Sequence, residues 1–286
     1  MATVRIVTDS GVALPPDFIR EHRIEVIPHR IRIGSAIYAE DDSFSVEELL
    51  EKYRALDRSD VTMLPTVLAA DINTILDTYQ EVGKETEQIV SIHMSGELSP
   101  MWQQARNAAE MMRGRYTIRV MDGLSAAYGQ GVLVRLAAEA AADGATVHEI
   151  ARVLNGAIPH LYASIFSESL HFLERGTQVS ASQSMLGTML GIKAMLMMEE
   201  GHIIPLEKVQ TREEVVEKLV EFVTEFASIE KLGVMEQAYG DAENDLVERL
   251  TESLPELDIE RFAYPPSLAA HLGGNVLGVM VYEGTY

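Results

Sequence analysis

An α/β fold, with a mostly parallel sheet in the N-terminal half and a mixed sheet in the C-terminal half, is predicted by three observations. Apolar runs of strand length end in hydroxyl or acid residues, as in "ATVRIVTDSG" at the start of the chain. Between such runs lie segments of helical spacing, and several of these open on a residue suited to cap a helix. The two kinds of segment alternate, which marks βαβ units, where each helix carries the chain back to lay the next strand beside the last.

The elements follow in order. "ATVRIVTDSG" is a short buried strand, and "IEVIPHRIRIGSAIYAE" reads as a second strand pair broken by Pro28 and Gly34. "SVEELLEKYRAL" is a helix with Ser45 as its N-cap and Glu48 placed to complete a capping box. A helix near Ala69–Val82, the strand "EQIVSIHM", a helix after Ser99, the strand "TIRVMD" and the helix "GQGVLVRLAAEAAADG" continue the rhythm. "TVHEIARVLNGAIPHL" is a connecting helix capped by Thr146, and Pro159 marks a boundary, giving expected α/β domains at 1–158 and 159–286. Beyond it come the strand "YASIFS", the helix "ESLHFLERG", the apolar "SMLGTMLGIKAMLMM", the strand "GHIIPLEKV", an amphipathic helix from Thr211 to Phe226, and strand–helix–strand patterns ending in "NVLGVMVYEG".

Composition narrows the function. The 286 residues are 47% hydrophobic, enough for a substantial core, and contain no cysteine, so disulfides, thiolate metal sites and cysteine nucleophiles are excluded. With 44 acidic and 23 basic residues the net charge is -21, a field that repels nucleic acid and anionic membrane surfaces. The start of the chain lacks an apolar signal core, and no run approaches ~18 apolar residues, so a soluble cytoplasmic protein without membrane insertion is expected. GxSxG, HExxH and phosphate-loop motifs are absent, and neither a cofactor nor a metal is implied. "GQGVLV" from Gly129 has two glycines of a dinucleotide fingerprint but an apolar third position, and it reads as packing at a helix start. "HEIAR" at His148 lacks the second histidine of a zinc pair.

What remains is a set of turns. "VTDSG", "DVTMLPT", "SGELSP" and "MDGLS" read as strand ends rich in small polar residues, and in a parallel sheet such ends face one edge, where ligands bind. Ser99 before Pro100 is a favoured cap arrangement, which brings free backbone N–H groups and a positive helix end to the "SGELSP" turn. Ser99 can equally cap its helix and do nothing more. His271 stands before Gly273 and Gly274, where a ligand can approach closely, or it is a satisfied structural histidine. The methionines of "SMLGTMLGIKAMLMM" suit either an ordinary core or a flexible apolar guest.

Taken in order, these motifs resemble the DegV family, bacterial fatty-acid-binding proteins that present acyl chains to a fatty acid kinase in phospholipid metabolism. "IVTDSG" resembles the family's VTDS strand, "VTMLPT" its TTSQP turn, "SIHMSGELSPMWQQA" its SSGLSGTYQSA segment and "VMDGLSAAYGQG" its DSxxxSxGxG. "FLERGTQVSASQSMLGTMLGIKAML" resembles LxRGGRIS…LGSLLxIKPIL, and "HLGGNVLG" resembles HxGxGALG. The resemblance implies a non-catalytic subunit of two α/β domains with a palmitate-like acid in an internal apolar tunnel and its head group near the domain interface. It places the carboxylate at Thr62, Ser99, nearby Ser95 and His271, and the tail against Met185, Met189, Ile192, Met195 and Phe166. Met63 and Leu64 replace the family's Ser-Gln, Gly96 its second serine, Pro100 and Met101 its Gly-Thr, and Ala194 the proline of IKPIL. Thr177, Gln178 and Gln210 replace Gly, Arg and Arg on the face that the resemblance assigns to a kinase partner. The rival reading from the same residue types is a serine acyl-transfer enzyme or lipid hydrolase, with Ser99 as nucleophile, His271 as base and Asp9 or Asp122 as orienter.

Overall fold

The computed structural model describes residues 4–56, 61–168, 171–173, 193–236 and 241–284. The first part runs β1 (Arg5–Asp9), α1 (Pro16–Glu21), β2 (Glu25–Ile27), β3 (Arg30–Ile33), β4 (Ala36–Ala39), α2 (Val46–Arg54), β5 (Thr66–Leu68), α3 (Ile72–Val82), β6 (Gln88–His93), α4 (Met101–Met111), β7 (Thr117–Asp122), α5 (Ala127–Ala142) and α6 (Val147–Ala157). A 3-10 turn, Ile158–His160, leads to β8 (Leu161–Ser167), β9 (Lys193–Glu199), β10 (His202–Val209), α7 (Arg212–Thr224), β11 (Lys231–Glu236), α8 (Ala242–Ser253), β12 (Ile259–Ala263), α9 (Pro266–Leu272) and β13 (Val276–Tyr282).

The expected sheet classes are both present. Four parallel strands stand in the order β2-β1-β6-β7, and their register brings Asp9, Ile27, His93 and Asp122 to one edge. In the C-terminal part six strands stand in the order β10-β9-β8-β13-β11-β12, parallel only between β11 and β12. The segment from Ile24 to Glu40 differs from the expected strand pair. It makes three strands in two sheets, because Pro28 has no N–H to continue the β2 ladder and the chain leaves for a small antiparallel sheet, β4-β3-β5. Gly34, at φ +59°, makes the turn between β3 and β4. "VTMLPT" is likewise a one-turn 3-10 helix, Val61–Met63, running into β5 of that small sheet, and not a strand end of the parallel one.

Helix capping follows the residue chemistry. Ser45 accepts the Glu48 amide, Thr211 accepts the Glu214 amide, and Thr146 with Glu149 forms a complete capping box. α5 packs between the two large sheets, and so is buried nearly all round. Its small residues permit this. A Cβ on Gly131 would lie 2.4 Å from the Ala13 carbonyl oxygen, which is backbone and cannot swing aside. The glycines of "GQGVLV" are therefore packing residues, and Gly131→Ala is expected to cost about 1–3 kcal/mol through overpacking, read as a lowered melting temperature.

On the outer face of the six-stranded sheet, α7 and α8 bury Val215, Leu219, Val223, Leu246 and Leu250 against Phe166, Met195, Leu277, Val279 and Val281. This apolar layer is the second large core of the molecule.

Candidate functional site

The C-terminal edge of the parallel sheet carries a buried polar network. It begins at Asp9, the last residue of β1. Asp9 Oδ1 accepts the Gly11 amide at 3.1 Å and Gln130 Nε2 at 2.9 Å, while Oδ2 accepts the Met94 amide and His93 Nδ1, both at 3.0 Å. Burial pushes this carboxyl up, but the charge of His29 and the hydrogen bonds from His93 and Gln130 outweigh it and hold it at about 2. Behind Asp9 the network continues through His93 Nε2 to Ser91 Oγ at 2.8 Å and on to the Tyr79 hydroxyl at 2.9 Å.

A second branch centres on His29, which follows β2 and is completely buried. Its amide donates to Ser10 Oγ at 2.8 Å and its carbonyl accepts the Glu40 amide at 2.8 Å, so the ring is fixed by its own backbone. Nδ1 faces Glu40 Oε2 at 3.2 Å, Ser10 Oγ at 3.3 Å and Asp9 Oδ1 at 3.8 Å. Nε2 stands 2.7 Å from Ser99 Oγ. Glu40 is buried too, accepting from Ser10 Oγ at 2.6 Å and from the Ser267 amide at 2.5 Å. Ser99 Oγ also accepts the Met101 amide at 3.1 Å, so it caps the start of α4 although the helix itself opens one residue later, after Pro100. Ser267 Oγ and Gln130 Oε1 are buried without a hydrogen-bond partner among the described residues, which leaves the network with unfilled polar capacity.

A run of contacts ties this polar network to the outer apolar layer. His271 Nε2 donates to the Leu98 carbonyl at 2.8 Å, and Ser167 Oγ donates to the carbonyl of Leu272, the next residue along, at 2.9 Å. Phe166 precedes Ser167 and lies in the layer under α7 and α8.

This fold and this sequence have relatives. A family model described as an uncharacterised protein of the DegV family matches residues 3–284. A DegV domain-containing protein of Streptomyces coelicolor is 30% identical over 285 residues, which is 97% of this chain and 98% of its own. The chain belongs to the DegV family. Among solved structures it resembles a fatty-acid-binding DegV family protein from Thermus thermophilus, with a TM-score of 0.85 at 23% identity over 99% of this chain and 100% of the other. A DegV family protein from Eubacterium eligens, loaded with heptadecanoic acid, superimposes with a TM-score of 0.83 at 13% identity over 98% and 100% of the two chains. At those identities the likeness carries the fold, and the bound acid is a fact about that protein.

Within this DegV-family chain the predicted site residues do not all come together. Ser99 and His271 come together, with His271 holding the Leu98 carbonyl one residue before Ser99. Ser95 is spent elsewhere. Its hydroxyl donates to the Gly201 carbonyl at 2.8 Å and accepts the Glu97 amide at 3.2 Å, tying the parallel sheet to the β9–β10 turn. Thr62 is exposed on its 3-10 turn, while Leu64 and Ala270, close neighbours of Thr62 and His271 in the chain, share one apolar cluster. Phe166 and Met195 are paired across β8 and β9 and buried, whereas Met185, Met189, Ile192, Thr177 and Gln178 lie outside the described residues. Gln210 is exposed before α7, its amide bonded to Glu214.

Two residues escaped the sequence reading. His29 and Glu40 stand on a connection and at a strand end, and each looks unremarkable in a segment that reads as alternating strand. Their role depends on the crossing of the chain from the parallel to the small sheet, which no local pattern encodes. The histidine that meets Ser99 is thus His29, with Asp9 and Glu40 beside it, and Asp122 instead holds the amides of Gly96 and Leu124 at 3.1 and 3.0 Å.

Proposed function

We propose that this chain binds a long-chain fatty acid, with the carboxylate at the start of α4 and the tail in the layer that Phe166 and Met195 help to build. The observation that carries the reading is Ser99: a buried hydroxyl at a helix N-terminus, connected through Leu98, His271, Leu272 and Ser167 to that layer. Amides ahead of the first intrahelical bond, Gln104 N to Pro100 O, add to its pull on an anion. Such local donors are needed in a chain of net charge -21, whose general field repels carboxylates.

The energetics divide the work between the two ends. A palmitate-like tail of about 14 methylenes at ~0.8 kcal/mol each gives roughly 11 kcal/mol of gross transfer free energy before ordering costs. Hydrogen bonds to the charged head contribute ~1.5–3 kcal/mol each, which offsets desolvation and sets orientation. Thr62 and His271 complete the head clamp in this reading, and Met185, Met189 and Ile192 extend the tail path. A carboxylate held apart from the tail at the sheet edge suits presentation to a kinase that would phosphorylate it, with Thr177, Gln178 and Gln210 altering the docking face.

Mass spectrometry of small molecules released by denaturing the purified protein tests the proposal. A fatty acid near one per chain is the expected result, and an empty or nucleotide-bearing protein overturns it. The 2.7 Å contact of Ser99 with His29 favours one second reading, acyl transfer through Ser99. Covalent labelling of Ser99 by a fluorophosphonate would support that reading.

A further inference from the structure

The two faces of the His29 ring present different chemistry. Toward Nδ1 stand the Glu40 carboxylate from the end of β4, the Asp9 carboxylate from β1, and Ser10, whose own proton goes to Glu40. Glu40 and Ser10 are within reach to accept from Nδ1 and Asp9 adds its charge at 3.8 Å, so Nδ1 carries a proton in every state. The Gly11 backbone closes one edge, a Cβ there falling 3.4 Å from the ring carbon Cε1, and His93 of β6 lies beyond Asp9, bonded to it at 3.0 Å. Nε2 alone is free to change, and its neighbour is Ser99 Oγ.

Two arrangements follow. With a neutral ring, Nε2 is an acceptor and the Ser99 proton points back at His29. With a cationic ring, Nε2 donates to Ser99 Oγ, which also accepts the Met101 amide, and the Ser99 proton is released to donate outward. Only the second arrangement offers a carboxylate a hydrogen bond from Ser99.

We propose that His29 is the positioning residue of the head-group site, turning the Ser99 hydroxyl toward the ligand carboxylate, and that binding of the acid takes up a proton at His29. This rests on the reading of Ser99 as a carboxylate donor. Burial disfavours the imidazolium, but the Asp9 charge and the hydrogen bond and charge of Glu40 outweigh burial and hold its pKa above the ordinary 6.5. A bound carboxylate raises it again. Affinity for the acid is therefore highest while His29 is protonated in the free protein and falls as pH rises through its free-state pKa, by up to about tenfold per pH unit.

The test uses the delipidated full chain and dodecanoate, with dodecanol as a ligand lacking the charge. Calorimetry of dodecanoate binding in phosphate and in Tris, at matched pH values stepped upward from the ordinary histidine range, should differ by the heat of proton uptake once His29 is deprotonated in the free protein, and affinity should fall over that same range while dodecanol binding stays flat. His29→Gln keeps an N–H donor at the Nε2 position and cannot titrate, so its dodecanoate affinity should lose the pH dependence yet exceed that of His29→Leu, which should be weakened about tenfold. The two-buffer comparison on the unaltered chain decides the matter even if a variant fails to fold. No proton uptake, with Ser99→Ala still weakening dodecanoate, overturns the role of His29 and leaves the fatty-acid reading standing. Absence of dodecanoate binding at every pH overturns that reading itself. Fluorophosphonate labelling of Ser99 that His29→Gln abolishes would make His29 a general base and overturn the proposal.

Discussion

Replacing Asp9 by alanine is expected to lower the stability of the chain by about 3–5 kcal/mol, the usual cost of removing one member of a buried charged network. The physical reason is the number of partners left behind. The amides of Gly11 and Met94, the Gln130 side chain and His93 all donate to this one carboxylate, and His29 loses one of the two anions that support its charge. The melting temperature should fall on the order of 10 °C in calorimetry. A pH series adds a second signature. Because the native carboxyl is held at about 2 against an ordinary 3.8, its contribution is complete above about pH 5 and is lost as pH falls toward 2. The variant should lack that acid limb. A loss under 1 kcal/mol with the limb intact would remove Asp9 from the centre of the network.

Ser99→Ala is expected to weaken fatty acid binding roughly 10- to 100-fold, the equivalent of one hydrogen bond of ~1.5–3 kcal/mol to a charged group. Dissociation constants for dodecanoate on delipidated protein would show it, and dodecanol should respond less because it brings no charge. Ser95→Ala makes the contrast. Its hydroxyl joins two parts of the chain through Gly201, so stability should drop before affinity does. Equal effects of the two substitutions on affinity would mean that the head group sits across both serines. An unchanged affinity in Ser99→Ala would move the head group away from α4.

The two carboxylates beside His29 are compatible with an anionic ligand nearby, because each is already satisfied by donors. Asp9 accepts from both backbone and side chains, and Glu40 from Ser10 and Ser267. They support the ring on one side and leave its other nitrogen to work on Ser99. The ligand would meet a hydroxyl and a helix end, with the acidic groups one layer behind.

Much of this was legible in the residues. The alternation of strand and helix, the caps at Ser45 and Thr146, and the clustering of polar residues at strand ends depend on neighbours a few positions apart, so "VTDSG" and "SGELSP" declare themselves locally. The family motifs likewise follow one another along the whole chain, and the family model spans residues 3–284. Ser99 was recognisable as a cap for the same reason, since a serine before proline at a helix start is a short-range signal.

What the tertiary structure alone decided is which groups meet. Ser95 and Ser99 are alike in sequence, four residues apart in one turn, and only the packing gives Ser95 to the Gly201 carbonyl and Ser99 to His29. His29 and Ser99 are 70 positions apart, and Glu40 and Ser267 are 227 apart. Hydrogen bonds of that span depend on sheet register and chain crossing, which no residue pattern carries. The residues therefore determined the fold class and the kinds of group available at the sheet edge, and three-dimensional packing chose the histidine, because a proton is shared only between atoms brought within about 3 Å.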